Sequence, residues 1–236
     1  MALILLIETG TDICSVGIAR DGELLSLRES DQGRDHAKKV ALFVDELLRE
    51  TGIQPDELDA VAVGMGPGSY TGLRIGVSFA KGLCYGLQKP LIAVGSLDSL
   101  TAVAREDFEA GILNVPQWDG ARLCPMVDAR RMEVYTRIFT TQGEPLTEVS
   151  AEVITSESFA DFRHNAEAPL VIFGNGAEKC RELLPDAVWV NVAPSARGLA
   201  RPAQEAFEAG RFEDVAYFEP FYLKDFVVIP SKKRLL

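Results

Sequence analysis

LILLIETGTDICSVGIARDGELLSLR, residues 3–28, reads as three β-strands in succession. Leu3–Ile7 is an unbroken aliphatic run of the kind a strand covered on both faces carries, and it ends at Glu8. The polar loop Thr9-Gly10-Thr11-Asp12 leads into a second run, Ile13–Ala19. Asp21-Gly22 is a hairpin signal, since both residues tolerate a positive φ, and Glu23–Arg28 supplies the third strand. Downstream the period changes. Helices are expected at 35–50, stopped by Gly52 and Pro55, and at 71–87, ended before Pro90. Strands Leu58–Val63 and Leu91–Val94 follow each of them, and Ser96 is expected to cap a helix from Leu97 to about Phe108.

The order βββαβαβα, an antiparallel opening followed by parallel crossovers, is the ribonuclease-H-like order. The actin/Hsp70/sugar-kinase (ASKHA) superfamily uses it twice in tandem. The second half repeats the opening: a strand Leu123–Val127 ending in Asp128, a turn at Ala129-Arg130, a strand Val134–Phe139 and a turn at Gln142-Gly143. Leu170–Phe173 then enters Gly174-Asn175-Gly176 and a helix, echoing the strand–glycine–helix step of the first half. The expectation is an α/β chain of two ribonuclease-H-like lobes, 1–108 and 109–236, joined across EDFEAGILNVPQWDG, where periodicity is lost. The second lobe is reduced, and its last segment is expected to pack back on the first.

A formal net charge of −11 argues against a broad nucleic-acid-binding face, whose affinity comes from Lys and Arg on phosphates. The one dense basic run, Lys232-Lys233-Arg234, reads as a solvated tail rather than a tRNA contact. Cys14, Cys84, Cys124 and Cys180 show no CxxC pairing and read as reduced, partly buried thiols. Neither a signal segment nor a membrane span is expected, and the cytoplasm is the expected location. His36 and His164 fall on separate lobes with no neighbour at ligand spacing, so no metal or other cofactor is expected.

Two enzymatic readings suit the topology. A two-metal nuclease needs carboxylates from the first strand, the first helix and the end of the fourth strand; Glu8 and Asp45 or Glu46 supply two, but the fourth strand ends in Gly64-Met65-Gly66. A small-molecule kinase or ATPase would hold nucleotide in a cleft bordered by Glu8, Thr9, Asp128, Gly174 and Gly176, yet its second loop, DARRM, has no glycine to approach a phosphate. The simpler expectation is that Glu8 and Asp128 accept backbone N–H bonds in their own turns.

GPGSYTG, residues 66–72, follows a strand and opens a helix, but it lacks the lysine of a Walker loop and misses the dinucleotide spacing by one residue. The helix beyond it carries Gly72, Gly76 and Ala80 at intervals of four, then Gly82 and Gly86. Interior glycines cost about 1 kcal/mol each against alanine, so Gly76, Gly82 and Gly86 imply a backbone approaching closely from elsewhere. On the first helix Ala37, Val40, Ala41, Val44, Leu47 and Leu48 form the expected core stripe, with Leu42 on the opposite face and Phe43 at its margin. Leu42, Phe43, Gly72, Gly76 and Ala80 are therefore the candidate partner interface. A leucine at Gly76 is expected to block pairing without unfolding the lobe.

The run GMGPGSYTGLRIGVSFAKGLCYGLQKPLIAVGSLDSL, with IETGTDICSVGI upstream and VDARRMEVY downstream, resembles the TsaB (YeaZ) family over most of the chain. The resemblance implies a non-catalytic dimerisation subunit of the tRNA threonylcarbamoyladenosine machinery. Such a subunit pairs with itself when alone, docks through its two amino-terminal helices on the catalytic paralogue TsaD, and is joined by the ATPase TsaE. The complex modifies N6 of adenosine 37 in tRNAs reading ANN codons, so this chain would meet tRNA only through it. TsaD-like chains carry a metal-binding histidine pair where this sequence has Ser96 and Leu100, and Glu8 departs from the Asp frequent in TsaB-like chains.

Overall fold

A computed structural model describes residues 1–32, 35–163 and 168–224. The first sheet has the order β3-β2-β1-β4-β5, from β1 (Leu3–Glu8), β2 (Cys14–Arg20), β3 (Glu23–Ser30), β4 (Ala60–Gly66) and β5 (Leu91–Gly95). β1 is antiparallel to β2 and parallel to β4, and β4 is parallel to β5. That is the ribonuclease-H-like arrangement expected from residues 3–28.

Period two divides β1 between two cores. Leu3, Leu5 and Ile7 point to the side covered by helices α1 (His36–Thr51) and α2 (Tyr70–Leu87), where Val40, Val44, Leu47, Val77 and Ala80 meet them. Ile4 and Leu6 point to the other side, covered by Leu199 and an alanine row, Ala196, Ala200, Ala203 and Ala206. The last three alanines lie on helix α5 (Ala200–Glu208), so the chain returns from its second half to close the first sheet.

Helix α3 (Ser96–Glu109) precedes the second sheet, whose order is β11-β10-β6-β7-β9 with β8 also paired to β6. Its strands are β6 (Arg122–Asp128), β7 (Glu133–Thr136), β8 (Phe139–Thr140), β9 (Ser150–Val153), β10 (Leu170–Phe173) and β11 (Val188–Trp189); the short helix α4 (Ala160–Arg163) lies between β9 and β10. The structure departs from expectation in three places here. The single strand expected over 134–139 is split into β7 and β8. No α-helix follows Gly174-Asn175-Gly176, only a 3-10 turn at Glu178–Cys180. Gly174 lies so close to β6 that a Cβ would stand 2.4 Å from the Met126 carbonyl oxygen, and Pro185 ends any continuation. Ser96 does not cap α3: Gly95 is the N-cap, and the buried Ser96 hydroxyl has no hydrogen-bond partner. All four cysteines are free and buried, and burial raises the Cys124 thiol to about 12.

Candidate functional site

The glycine loop exists to bring α2 against the loop after β1. Ser69 caps α2 by accepting from the Gly72 amide, and its own N–H donates to the Gly10 carbonyl at 2.6 Å. A Cβ on Gly68 would lie 2.3 Å from that carbonyl oxygen, and one on Gly72 would lie 2.0 Å from the oxygen of Thr9. Thr9 Oγ1 donates to the Gly72 carbonyl at 2.8 Å and sits where a Gly76 Cβ would reach it at 2.2 Å. Only glycine admits a backbone this close. His36 joins the same loop to α1: its Nε2 lies 2.9 Å from the Thr11 carbonyl, which can only accept, so Nε2 carries the proton.

Glu8 is buried under this loop. Its carboxylate accepts from the Gly10 amide at 2.7 Å and packs on Gly64, whose Cβ would stand 2.1 Å from Oε2. Burial raises its pKa, and the backbone bonds only partly offset that. A carboxyl raised by folding holds its proton longer in the folded state, so its stabilising share is present at acid pH and lost as pH rises from the ordinary carboxylate range through the folded pKa. Glu8→Gln should therefore flatten the fall in melting temperature as pH rises above 4.5. Parallel melting curves for the two proteins would contradict this.

Between the sheets lies a cleft of about 460 Å³, lined by Asp12, Ser69, Tyr70, Thr71, Asp128, Arg130, Tyr135, Asn175 and the segment Phe221–Lys224, among others. Of the five residues expected to border a nucleotide, Asp128 alone lines it. That expectation is corrected for Glu8 and Thr9, which are turned into the fold, and for Gly174 and Gly176, which are packed on β6. Asp128 accepts from the Arg130 amide at 3.0 Å, as the turn reading required, and is paired with Lys179. Arg130 and Arg131 both adopt left-handed φ, of 69° and 51°, so the glycine-free loop holds its shape against its backbone preference. Tyr70, Tyr135 and Tyr222 were missed because nothing local marks a residue that meets the cleft only after both halves fold.

The second feature is a groove between α1 and α2, lined by Ala37, Val40, Tyr70, Thr71, Arg74, Ile75, Ser78 and Phe79. Along α2 the exposed row continues through Gly82 and Gly86, and among the described residues nothing outside the helix's own backbone lies within 4 Å of where either Cβ would stand. Tyr85, 77% exposed, closes the row. The expected interface is corrected at three positions: Gly72, Gly76 and Ala80 are buried in their own lobe, the glycines by the Thr9 loop and Ala80 by the core. Leu42 is exposed and Phe43 packs partly on the core. Ala37 and Ala41, expected inward, are exposed on α1. The signal for the outward row was present, since residues 71, 75, 78 and 82 recur at helical spacing, but four-residue spacing alone does not say which of two small-residue rows faces in.

A family profile described as "TsaD: tRNA N6-adenosine threonylcarbamoyltransferase" matches residues 28–219. The chain belongs to the TsaD family. Within that family it is similar to proteins named TsaB. The tRNA threonylcarbamoyladenosine biosynthesis protein TsaB of Escherichia coli is 28% identical over 240 residues, covering 98% of this chain and 99% of that one. The Haemophilus influenzae protein of the same name is 36% identical over 132 residues, a stretch that covers 56% of this chain and 51% of that relative. The solved structure of YeaZ from Pseudomonas aeruginosa superposes with a TM-score of 0.75 at 28% identity, over 94% of this chain and all of that one. The TsaB (YeaZ) resemblance read from residues 64–100 stands, as does the ASKHA-type fold. In this TsaD-family chain Ser96 is 5% exposed and Leu100 is fully buried. No cluster of three or more His, Cys, Asp or Glu side chains is placed to hold a metal among the described residues. No helix among them is long and apolar enough to cross a membrane. His164 and Lys232-Lys233-Arg234 lie outside the described residues.

Proposed function

We propose that this chain is a non-catalytic accessory subunit in tRNA threonylcarbamoyladenosine biosynthesis, working by docking its α1–α2 face on a TsaD-like catalytic paralogue. Involvement in that modification is supported by the names of its TsaB relatives. The single observation that carries the docking role is the open row on α2. Among the described residues nothing lies within 4 Å of where a Cβ on Gly82 or Gly86 would stand, so no contact among them offsets the roughly 1 kcal/mol each loses against alanine. A helix laid along that row from outside would, because small residues let two helix axes approach closely. The row continues into an apolar groove holding Ala37, Ile75 and Phe79, the composition of a contact core rather than of a solvated face.

Such a subunit works in the cytoplasm, needs no cofactor of its own, pairs with itself through the same face when alone, and admits a TsaE-like ATPase to the assembled complex. Adenosine 37 of tRNAs reading ANN codons would be reached through the partner. Co-expression with the TsaD-like protein of the same organism tests the reading. The expected result is a complex stable through size exclusion, with threonylcarbamoyl transfer that the partner alone does not perform; two proteins eluting separately would refute it.

A further inference from the structure

After α5 the chain crosses from the first sheet to the second. The Glu213 amide donates to the Leu91 carbonyl at 2.9 Å, and Lys81 Nζ on α2 donates to the carbonyls of Ala216 and Phe218 at 3.2 and 2.9 Å. The Phe221 amide donates to the Met65 carbonyl at 2.8 Å. The Tyr222 ring then lies 4.8 Å from that of Tyr70, and its hydroxyl accepts from Arg74 Nε at 3.0 Å, while the Arg74 guanidinium stands 4.1 Å from the Tyr70 ring centre. Two residues on, Lys224 pairs with Glu133 of β7 in the second sheet.

The first sheet is shaped to receive this segment. Gly66 has φ +106°, and a Cβ there would stand 2.9 Å from the Phe221 carbonyl oxygen. We propose that residues 219–224 are a strap that latches the two halves of the molecule across the inter-lobe cleft. The strap fixes the distance between the α2 N-terminus and the loop at 128–131, and its residues 221–224 form one wall of the cleft. Its far anchors are of a kind that releases. The Lys224 and Glu133 side chains are 45% and 18% exposed, so salt screens that ion pair, and the Arg74–Tyr222 bond is made by an exposed guanidinium to a phenol that water can replace. Unlatching widens the cleft that Tyr70, Asp128 and Arg130 line.

Hydrogen exchange on the full chain tests this. Tyr222→Ala with Lys224→Ala should speed exchange at residues 66–72 and 128–135 by about tenfold or more. Tyr217→Ala, at an 83% exposed position on the same segment, should leave both regions unchanged. Raising salt to about 1 M should reproduce part of the effect in the unaltered protein. Faster exchange confined to residues 219–224 would overturn the latch and leave a segment that merely coats the surface. Should the double variant fail to fold, Tyr222→Phe, which removes only the hydroxyl bonded to Arg74, still decides: faster exchange at 128–135 supports the latch and none refutes it.

Discussion

Ser78→Arg or Gly82→Leu is expected to weaken capture of the TsaD-like paralogue about a hundredfold while the free chain keeps its melting temperature to within about 3 °C. Both positions are exposed, and nothing among the described residues stands within 4 Å of a Gly82 Cβ, so neither side chain is expected to disturb the fold. Between two helices packed ~8–10 Å apart the same side chains have nowhere to go. Overpacking at the centre of such a contact costs on the order of 3 kcal/mol, about a hundredfold in affinity. Val153→Arg, an exposed apolar residue on β9, is the matched control and should bind normally. Calorimetric titration of partner into each variant supplies the numbers. Affinities for the two α2 variants equal to the control's would remove the docking face from α2.

Two identical substitutions on one helix should act with opposite signs. Gly72→Ala is expected to destabilise the chain by roughly 3 kcal/mol or more, because its Cβ would stand 2.0 Å from a backbone oxygen that no rotamer change can move. That corresponds to a fall of about 10 °C in melting temperature for a chain of this size. Gly82→Ala meets open space and is expected to stabilise by about 1 kcal/mol, the helix-propensity difference. Gly76→Leu follows Gly72 and not Gly82: it unfolds the first lobe, since Thr9 Oγ1 already occupies the place. Denaturant melts of the three variants check this, and a stable Gly72→Ala protein would mean that the Thr9 loop does not lie where the structure puts it.

The contrast shows where sequence reading stops. Gly76, Gly82 and Gly86 read as marks of close approach by another backbone, but Gly76 meets the chain's own Thr9 side chain, and Gly82 and Gly86 meet nothing within 4 Å among the described residues. Helical spacing gives two rows of small residues on α2, one through 72, 76 and 80 and one through 78, 82 and 86. Hydrophobicity does not separate them, because glycine and alanine are nearly silent on that scale. Burial separates them at once. The same holds for Glu8: an acid after a strand followed by a turn is legible, whereas whether it faces a cleft or Gly64 depends on a strand fifty residues away.

By itself the sequence determined the element order of the first half, its antiparallel opening with parallel crossovers, the buried central strand and the family, because each is written in local periodicity, turn chemistry or a contiguous motif. Tertiary structure alone decided which glycines are internal, which face of α2 is open, that α5 closes the back of the first sheet, and that Tyr222 and Lys224 bridge the cleft. These contacts join residues far apart in the chain: 148 positions separate Arg74 from Tyr222, and 181 separate Ser15 from Ala196, whose amide donates to the Ser15 hydroxyl. Local patterns constrain what a segment becomes; only the packed chain fixes what it touches.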